Sequence, residues 1–159
     1  AVRVNDDPPS NPAWQWFGTM SVAPSGRIDV TWNDTRNSGS DRLSETYYAY
    51  SVNGGRTWSK NVPVSTMWDS HVGWPSSNYK IGDYYHMISD DHHAKLAYAA
   101  TFNGEQDVYF LKVPPTIDCN NNGMLDPDEL AGGTSADCSG NGVPELDFAF
   151  ICLFPFWYF

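Results

Sequence analysis

Basic side chains are scarce in this chain. Nine Lys and Arg stand against 19 Asp and Glu among 159 residues, for a net charge of −10. A surface of that sign repels phosphate backbones and anionic headgroups, which makes nucleic acid and acidic membranes poor partners. Cysteine is scarce too. Cys119, Cys138 and Cys152 form no Cys-x-x-Cys pair and no Cys/His cluster, so no zinc pattern is present. Helical periodicity is nearly absent, which argues against a bundle. The longest apolar stretch, residues 148–159, falls short of the roughly 20 residues a helix needs to span a bilayer. No phosphate-binding glycine loop and no Gly-x-Ser-x-Gly elbow occur.

Aromatic residues, by contrast, are abundant at 15 %, with seven Trp and nine Tyr. That level is high for a helical protein and common in β-proteins, where most rings serve as core and cross-strand pairs. Short alternating or apolar runs recur between clusters of Gly, Asn, Asp, Ser and Pro. They predict strands over Gln15–Val22, Arg27–Asp34, Thr46–Ser51, Thr57–Val64, Ile81–Ser89, Lys95–Thr101 and Asp107–Val113. The turns carry Pro24-Ser25-Gly26, Asn53-Gly54-Gly55 and Asn103-Gly104, each with a glycine free to take positive φ. Pro114-Pro115 ends the sheet region as a stiff linker. The expected class is therefore all-β and antiparallel. Strand, hairpin, strand, longer loop, strand is the rhythm of four-stranded propeller blades at roughly 40–50 residues per unit. Residues 14–65 would form one blade and 79–113 most of a second.

A different pattern begins at Asp118. Asp118-Cys119-Asn120-Asn121-Asn122-Gly123-Met124-Leu125-Asp126-Pro127-Asp128-Glu129 fills every position of a calcium loop. Asp118, Asn120, Asn122 and Asp126 supply side-chain oxygens, Met124 its backbone carbonyl, and Glu129 the closing carboxylate, while Gly123 makes the sharp turn. A weaker copy runs from Asp137, with Ser139, Asn141, Val143 and Glu145 in ligand positions. Phe148 stands where the closing carboxylate belongs, and Asp147 lies one place short of it. Cys119 and Cys138 occupy the second position of each loop, so a disulfide between them is an open expectation in an oxidising compartment.

Ser51-Val52-Asn53-Gly54-Gly55-Arg56-Thr57-Trp58 resembles the Asp-box, Ser-x-Asp-x-Gly-x-Thr-Trp, of the sialidase-like, or BNR, β-propellers, with Asn53 in place of the usual Asp. Gly26 to Arg36 and Tyr47 to Ser51 resemble the second and third strands of such a blade, and the segments 78–84 and 96–101 resemble the next. The tail resembles the Asp-Cys-Asn-x-Asn-Gly repeats of dockerin-like and thrombospondin type 3-like modules of secreted proteins. Together these likenesses cover about residues 14–147. The resemblance implies a blade scaffold with the Asp-box on the outer rim, away from ligand. Such propellers close with about six blades, so about two implies a portion of a longer propeller, or copies that assemble to complete one. Ala1-Val2-Arg3-Val4-Asn5, with no signal peptide before it, reads as a strand already under way.

If the chain follows sialidase chemistry, it needs an arginine cluster for a substrate carboxylate, a Tyr nucleophile with a Glu partner, and an acid/base Asp. Arg36, just past the end of a strand at Asp34, is placed to bind a carboxylate or to pair with Asp34, and the ion pair is the weightier reading. Tyr84 and Tyr85 stand at the start of an innermost strand, with Asp90, Asp91 and Glu105 nearby in sequence; packing between blades is the weightier reading for both. Asp90-Asp91-His92-His93 reads as a solvated turn before it reads as a ligand set. His71 and His86 have no nameable partner. Asn33-Asp34-Thr35 is a formal glycosylation acceptor.

The expected organisation is a propeller portion over 1–113, a linker over 114–117, paired calcium loops over 118–147 and an aromatic tail over 148–159. The expected function is a secreted or cell-surface, Ca²⁺-binding module. It would bind a glycan or an extracellular protein and assemble through the blades or the tail. The alternative is part of an exo-sialidase whose other catalytic residues lie upstream.

Overall fold

The computed structural model describes residues 1–74, 77 and 80–114. The calcium-loop residues, the Cys119–Cys138 pairing and the tail over 148–159 lie outside them. Among the described residues the fold is all-β, with no helix and two open antiparallel sheets. The first contains β1 (Gln15–Val22), β2 (Ile28–Asp34), β3 (Leu43–Ser51) and β4 (Val62–Pro63) side by side in chain order. A further short strand, β5 (Trp68–Asp69), also pairs with β3. The second sheet is the meander β6 (His86–Ser89), β7 (Ala94–Ala100) and β8 (Asp107–Val113).

The strand faces explain the composition. β7 alternates, burying Ala94, Leu96, Tyr98 and Ala100 while Ala97 faces out, as a sheet with one covered side should. In β3 the run Tyr47, Tyr48, Ala49 and Tyr50 is buried without alternation, so both sides of the first sheet are covered there. On one side Trp32, Tyr47 and Ala49 pack with Val4, Val30 and Trp58. On the other, Thr31 donates to the Met87 sulfur at 3.9 Å and Asn33 Nδ2 donates to the Tyr85 hydroxyl at 2.9 Å, both in the second sheet's chain segment. β1 against β6 is the main approach between the sheets, where the Ser89 amide donates to Ser21 Oγ at 2.9 Å.

Three expected strands change by more than one residue. Thr57–Val64 shrinks to Val62–Pro63 because on either side of it a serine side chain takes one of the two bonds of the backbone pair. Ser59 Oγ accepts from the Tyr50 amide at 3.0 Å and Ser65 Oγ from the Thr46 amide at 2.8 Å, while Pro63 has no N–H to give. Ile81–Ser89 shortens to His86–Ser89, and Thr46–Ser51 lengthens to Leu43 because β5, unforeseen, pairs Trp68 with Ser44. Both expected hairpins of the first sheet form. Gly26 takes φ 87° and closes on Ala23 through a 2.9 Å bond, and Gly54 and Gly55 take φ 72° and 77°.

The Asn53 turn works as a side-chain staple. Its Oδ1 accepts from the amides of Arg56 at 3.1 Å and Thr57 at 3.0 Å, and its Nδ2 donates to Thr57 Oγ1 at 2.7 Å. Ser51 Oγ accepts from the Gly55 amide at 3.0 Å. The amide thus performs the capping that a carboxylate would perform, without the charge.

Candidate functional site

The turns β1–β2 and β3–β4 lie at one end of the first sheet. The longer connections entering β1, joining β2 to β3, and leaving β5 lie at the other, the loop end. Asp34 and Arg36 stand at the loop end, where β2 stops. Arg36 Nε donates to Asp34 Oδ2 at 2.9 Å, Nη1 to Asp6 Oδ1 at 2.6 Å and Nη2 to Asn61 Oδ1 at 3.3 Å. The guanidinium also lies 4.4 Å from the centroid of the Tyr47 ring. Burial alone would pull its pKa down, but the bonds to Asp34 and Asp6 outweigh that and raise it. Asp34 is fully enclosed and accepts in addition from Trp32 Nε1 at 2.9 Å and the Arg36 amide at 2.8 Å. The ion pair has formed, and the donors of Arg36 are engaged within the protein.

The two tyrosines part company. Tyr84 projects into solvent, 97 % exposed, so packing between sheets does not describe it. Tyr85 does pack between them: its hydroxyl donates to the Ala99 carbonyl at 2.9 Å, accepts from Asn33, and its ring meets Phe17 at 5.4 Å. Burial raises its pKa well above the ordinary tyrosine value. Asn33, the formal glycosylation acceptor, is wholly buried in the same contact. Asp90 caps its own turn, accepting from the amides of His92 at 2.8 Å and His93 at 2.7 Å. Its ion pair with Lys95 and these amides hold its carboxyl far below the usual range. Among the described residues no group of three or more His, Cys, Asp or Glu converges on a metal position.

A cluster that the sequence did not announce sits at the opposite end of β2. Arg27 donates twice to Asp29, at 2.8 and 3.0 Å, and Tyr48 OH donates to Asp29 Oδ1 at 2.6 Å. Arg27 reaches on to the carbonyls of Asp90 at 2.8 Å and Asp91 at 3.2 Å in the β6–β7 turn. All three side chains are buried, so the cluster is a strut between sheets.

The loop end also carries an aromatic groove of about 280 Å³, formed by Trp14, Trp16, Phe17, His71 and Trp74 with Asp41 on its lip. Its residues are fixed by backbone bonds and ring contacts. The Trp14 amide donates to Thr35 Oγ1 at 2.9 Å and its carbonyl accepts from the Thr35 amide at 3.1 Å, yet the residue is 63 % exposed. Between Trp16 and Thr19 the β1–β2 register shifts at a bulge, where Phe17 takes φ 52°, the one non-glycine among the described residues at positive φ. Trp16 and Phe17 meet at 4.8 Å, and Trp16 meets Trp68 at 5.7 Å. His71 lies 3.9 Å from Trp74 between ring centroids, and Trp74 Nε1 donates to the Ser70 carbonyl at 2.6 Å. Beyond Trp14 and Asp41, which both recesses share, a second hollow of about 150 Å³ is lined by Asn11, Thr35 and Ser40. The cations that line the two recesses are paired: Arg36 with Asp6 at 2.6 Å and Asp34 at 2.7 Å, and Lys80 with Asp83 at 2.6 Å. The abundance of aromatics reads most rings as core and cross-strand pairs, and Trp14, just before β1, departs from that at 63 % exposed. The β3–β5 pairing that brings Ser70 to Trp74 beside Trp14 and Trp16 has almost no sequence signal.

Compared with protein-family models, curated proteins and solved structures, the chain matches none.

Proposed function

We propose that residues 1–113 are two blades of a sialidase-like β-propeller and that the protein is a secreted binding and assembly module, not a hydrolase by itself. The carrying observation is the state of the groups a sialidase would need. Arg36, at the loop end, has its donors consumed by Asp34, Asp6 and Asn61. Tyr48 and Tyr85 are enclosed and held protonated, Tyr48 by burial and then by Asp29. What the loop end offers a ligand is the aromatic groove, which suits a glycan or an extracellular partner. The blade reading is supported by the meander order of both sheets, the approach of their first strands β1 and β6, and the Asn53 staple. The uncovered outer faces favour completion by further blades or copies: Met20 and Val22 are exposed on one, and Ile88, Val108 and Phe110 on the other.

Incubation with a fluorogenic sialoside is the direct test. The chain is expected to give no turnover, and turnover above buffer would replace this reading with the exo-sialidase alternative. Ca²⁺ belongs to the same proposal. The oxygen donors of Asp118, Asn120, Asn122, Met124, Asp126 and Glu129 suit this hard cation, with the copy at Asp137, Ser139, Asn141, Val143 and Glu145 weaker. Calorimetry should show binding at roughly 10⁻⁴–10⁻³ M, the range of extracellular sites. The paired change Asp118→Ala and Glu129→Ala should abolish the heat, and a wild-type titration without heat would end the calcium proposal.

A further inference from the structure

We infer that the groove at the loop end holds a neutral disaccharide astride Trp14, one pyranose ring in each recess; this rests on the binding-module reading above. A pyranose presents a face of weakly positive C–H groups and an edge of hydroxyls. The first matches the electron-rich face of an aromatic ring, and the second needs hydrogen-bond partners in the plane. The groove supplies both, with Trp14 and Trp16 as ring surfaces and Asp41, Asn11 and Ser40 as polar groups beside them.

Three further observations narrow the occupant. Trp14 is 63 % exposed on a backbone that Thr35 fixes from both its N–H and its carbonyl, so the main chain holds its position between the two recesses while its ring stays open to a ligand. Behind it, Phe17 at φ 52° is the kind of backbone strain that accumulates at ligand sites, and the bulge that carries it turns β1 next to the groove. Charge then selects among sugars. Arg36, Arg42 and Lys80 are all in ion pairs. Asp41, exposed and shared by the two recesses, has no ion-pair partner among the described residues. A carboxylate there accepts bonds from sugar hydroxyls and repels an acidic sugar.

The test is a titration of the full chain, followed by tryptophan fluorescence and calorimetry. The probes are the neutral sugars cellobiose, maltose, lactose and N,N′-diacetylchitobiose, and the acidic sugar sialyllactose. At least one neutral disaccharide should bind saturably, and sialyllactose no better than lactose. Trp14→Ala should weaken that binding about tenfold, the scale of one lost ring-stacking contact. Trp14→Phe should recover part of the loss, and Tyr84→Ala should change nothing. Circular dichroism of each variant checks that the sheets persist. Preference for sialyllactose, or neutral-sugar binding indifferent to Trp14→Ala, overturns this inference and leaves the binding-module reading standing. Absence of binding by every sugar removes both this inference and the glycan half of that reading.

Discussion

Arg27 and Arg36 flank β2, one just before Ile28 and one just after Asp34, and each pairs with a carboxylate two positions towards or into the strand. Locally they are mirror images. Arg27 closes on Asp29 and Tyr48 and then spans to the carbonyls of Asp90 and Asp91, so its remaining donors leave the first sheet. Arg36 closes on Asp34 and spends its remaining donors on Asp6 and Asn61, staying at the margin of its own sheet. The same pairing therefore does two jobs, and what lies beyond the carboxylate decides which. One arginine joins sheets. The other pins the N-terminal segment and the approach to β4, and leaves the loop end free for the neighbouring aromatic groove.

The sharpest way to break the contrast is Arg27→Ala. It leaves Asp29, which has no exposed surface, charged and short of its main partner, and breaking a buried pair costs about 3–5 kcal/mol. Urea unfolding should show that loss. Replacing both members by apolar residues, Arg27→Met with Asp29→Leu, should recover most of it, because the isolated buried charge is gone. A loss below about 1 kcal/mol for Arg27→Ala would mean the strut carries no load between the sheets. Arg36→Ala should cost less, about 1.5–3 kcal/mol, since Asp34 keeps Trp32 Nε1 and the Arg36 amide. Its signature is local: amide exchange should quicken at Asp6 and Asn61 and stay slow in β6–β8.

These two arginines also mark what could be read in the chain. The Arg36–Asp34 pair was legible because both partners lie at one strand end and no distant residue is needed to form it. The Arg27 strut was not, because its remaining acceptors are carbonyls of a turn in the other sheet, and a carbonyl has no side-chain signature. The same logic separates the strands. β1, β2 and β8 follow from alternation and glycine turns almost to the residue. β4 and β5, two residues each, depend on Ser59, Ser65 and Trp68 finding β3, which no period records. The groove is harder still, since Trp14 and Trp16 belong to one end of the first sheet's chain and His71 and Trp74 to the other.

Alkali should separate the tyrosines attached to the two arginines. Burial, followed by the bond to Asp29, raises the Tyr48 pKa far above its ordinary value near 10. The unfolded chain loses that proton near pH 10 while the folded chain keeps it, so the unfolded state binds fewer protons above that pH. Stability from this group is complete below pH 10 and falls as pH rises past it. Tyr47, beneath Arg36, is raised by burial and by Glu45 but lowered by Arg36 and Asn37, so its contribution is smaller. Tyr48→Phe should flatten the alkaline fall in stability and cost about 1.5–3 kcal/mol at neutral pH for the lost bond to a buried carboxylate. Denaturant midpoints measured across the alkaline range, with tyrosinate absorbance, read both. An unchanged alkaline slope in Tyr48→Phe would show that Tyr48 is not the group responsible.

The smallest effect belongs to the turn on the Arg27 side of the first sheet. Asn53→Ala removes an acceptor for the amides of Arg56 and Thr57 and a donor to Thr57 Oγ1, all in an exposed turn where water replaces what is lost. The expected cost is about 0.5–1 kcal/mol, the lower range for a lost cap. Asn53→Asp keeps the acceptor, and the Thr57 hydroxyl can turn to donate, so stability should hold within about 0.5 kcal/mol. Because the turn lies at the end of the sheet away from Trp14, neither variant should alter the fluorescence titration with a neutral disaccharide. A loss of sugar binding in Asn53→Ala at unchanged global stability would mean that the two ends of β2 and β3 are coupled, and that the division of labour between Arg27 and Arg36 is not a separation of ends at all.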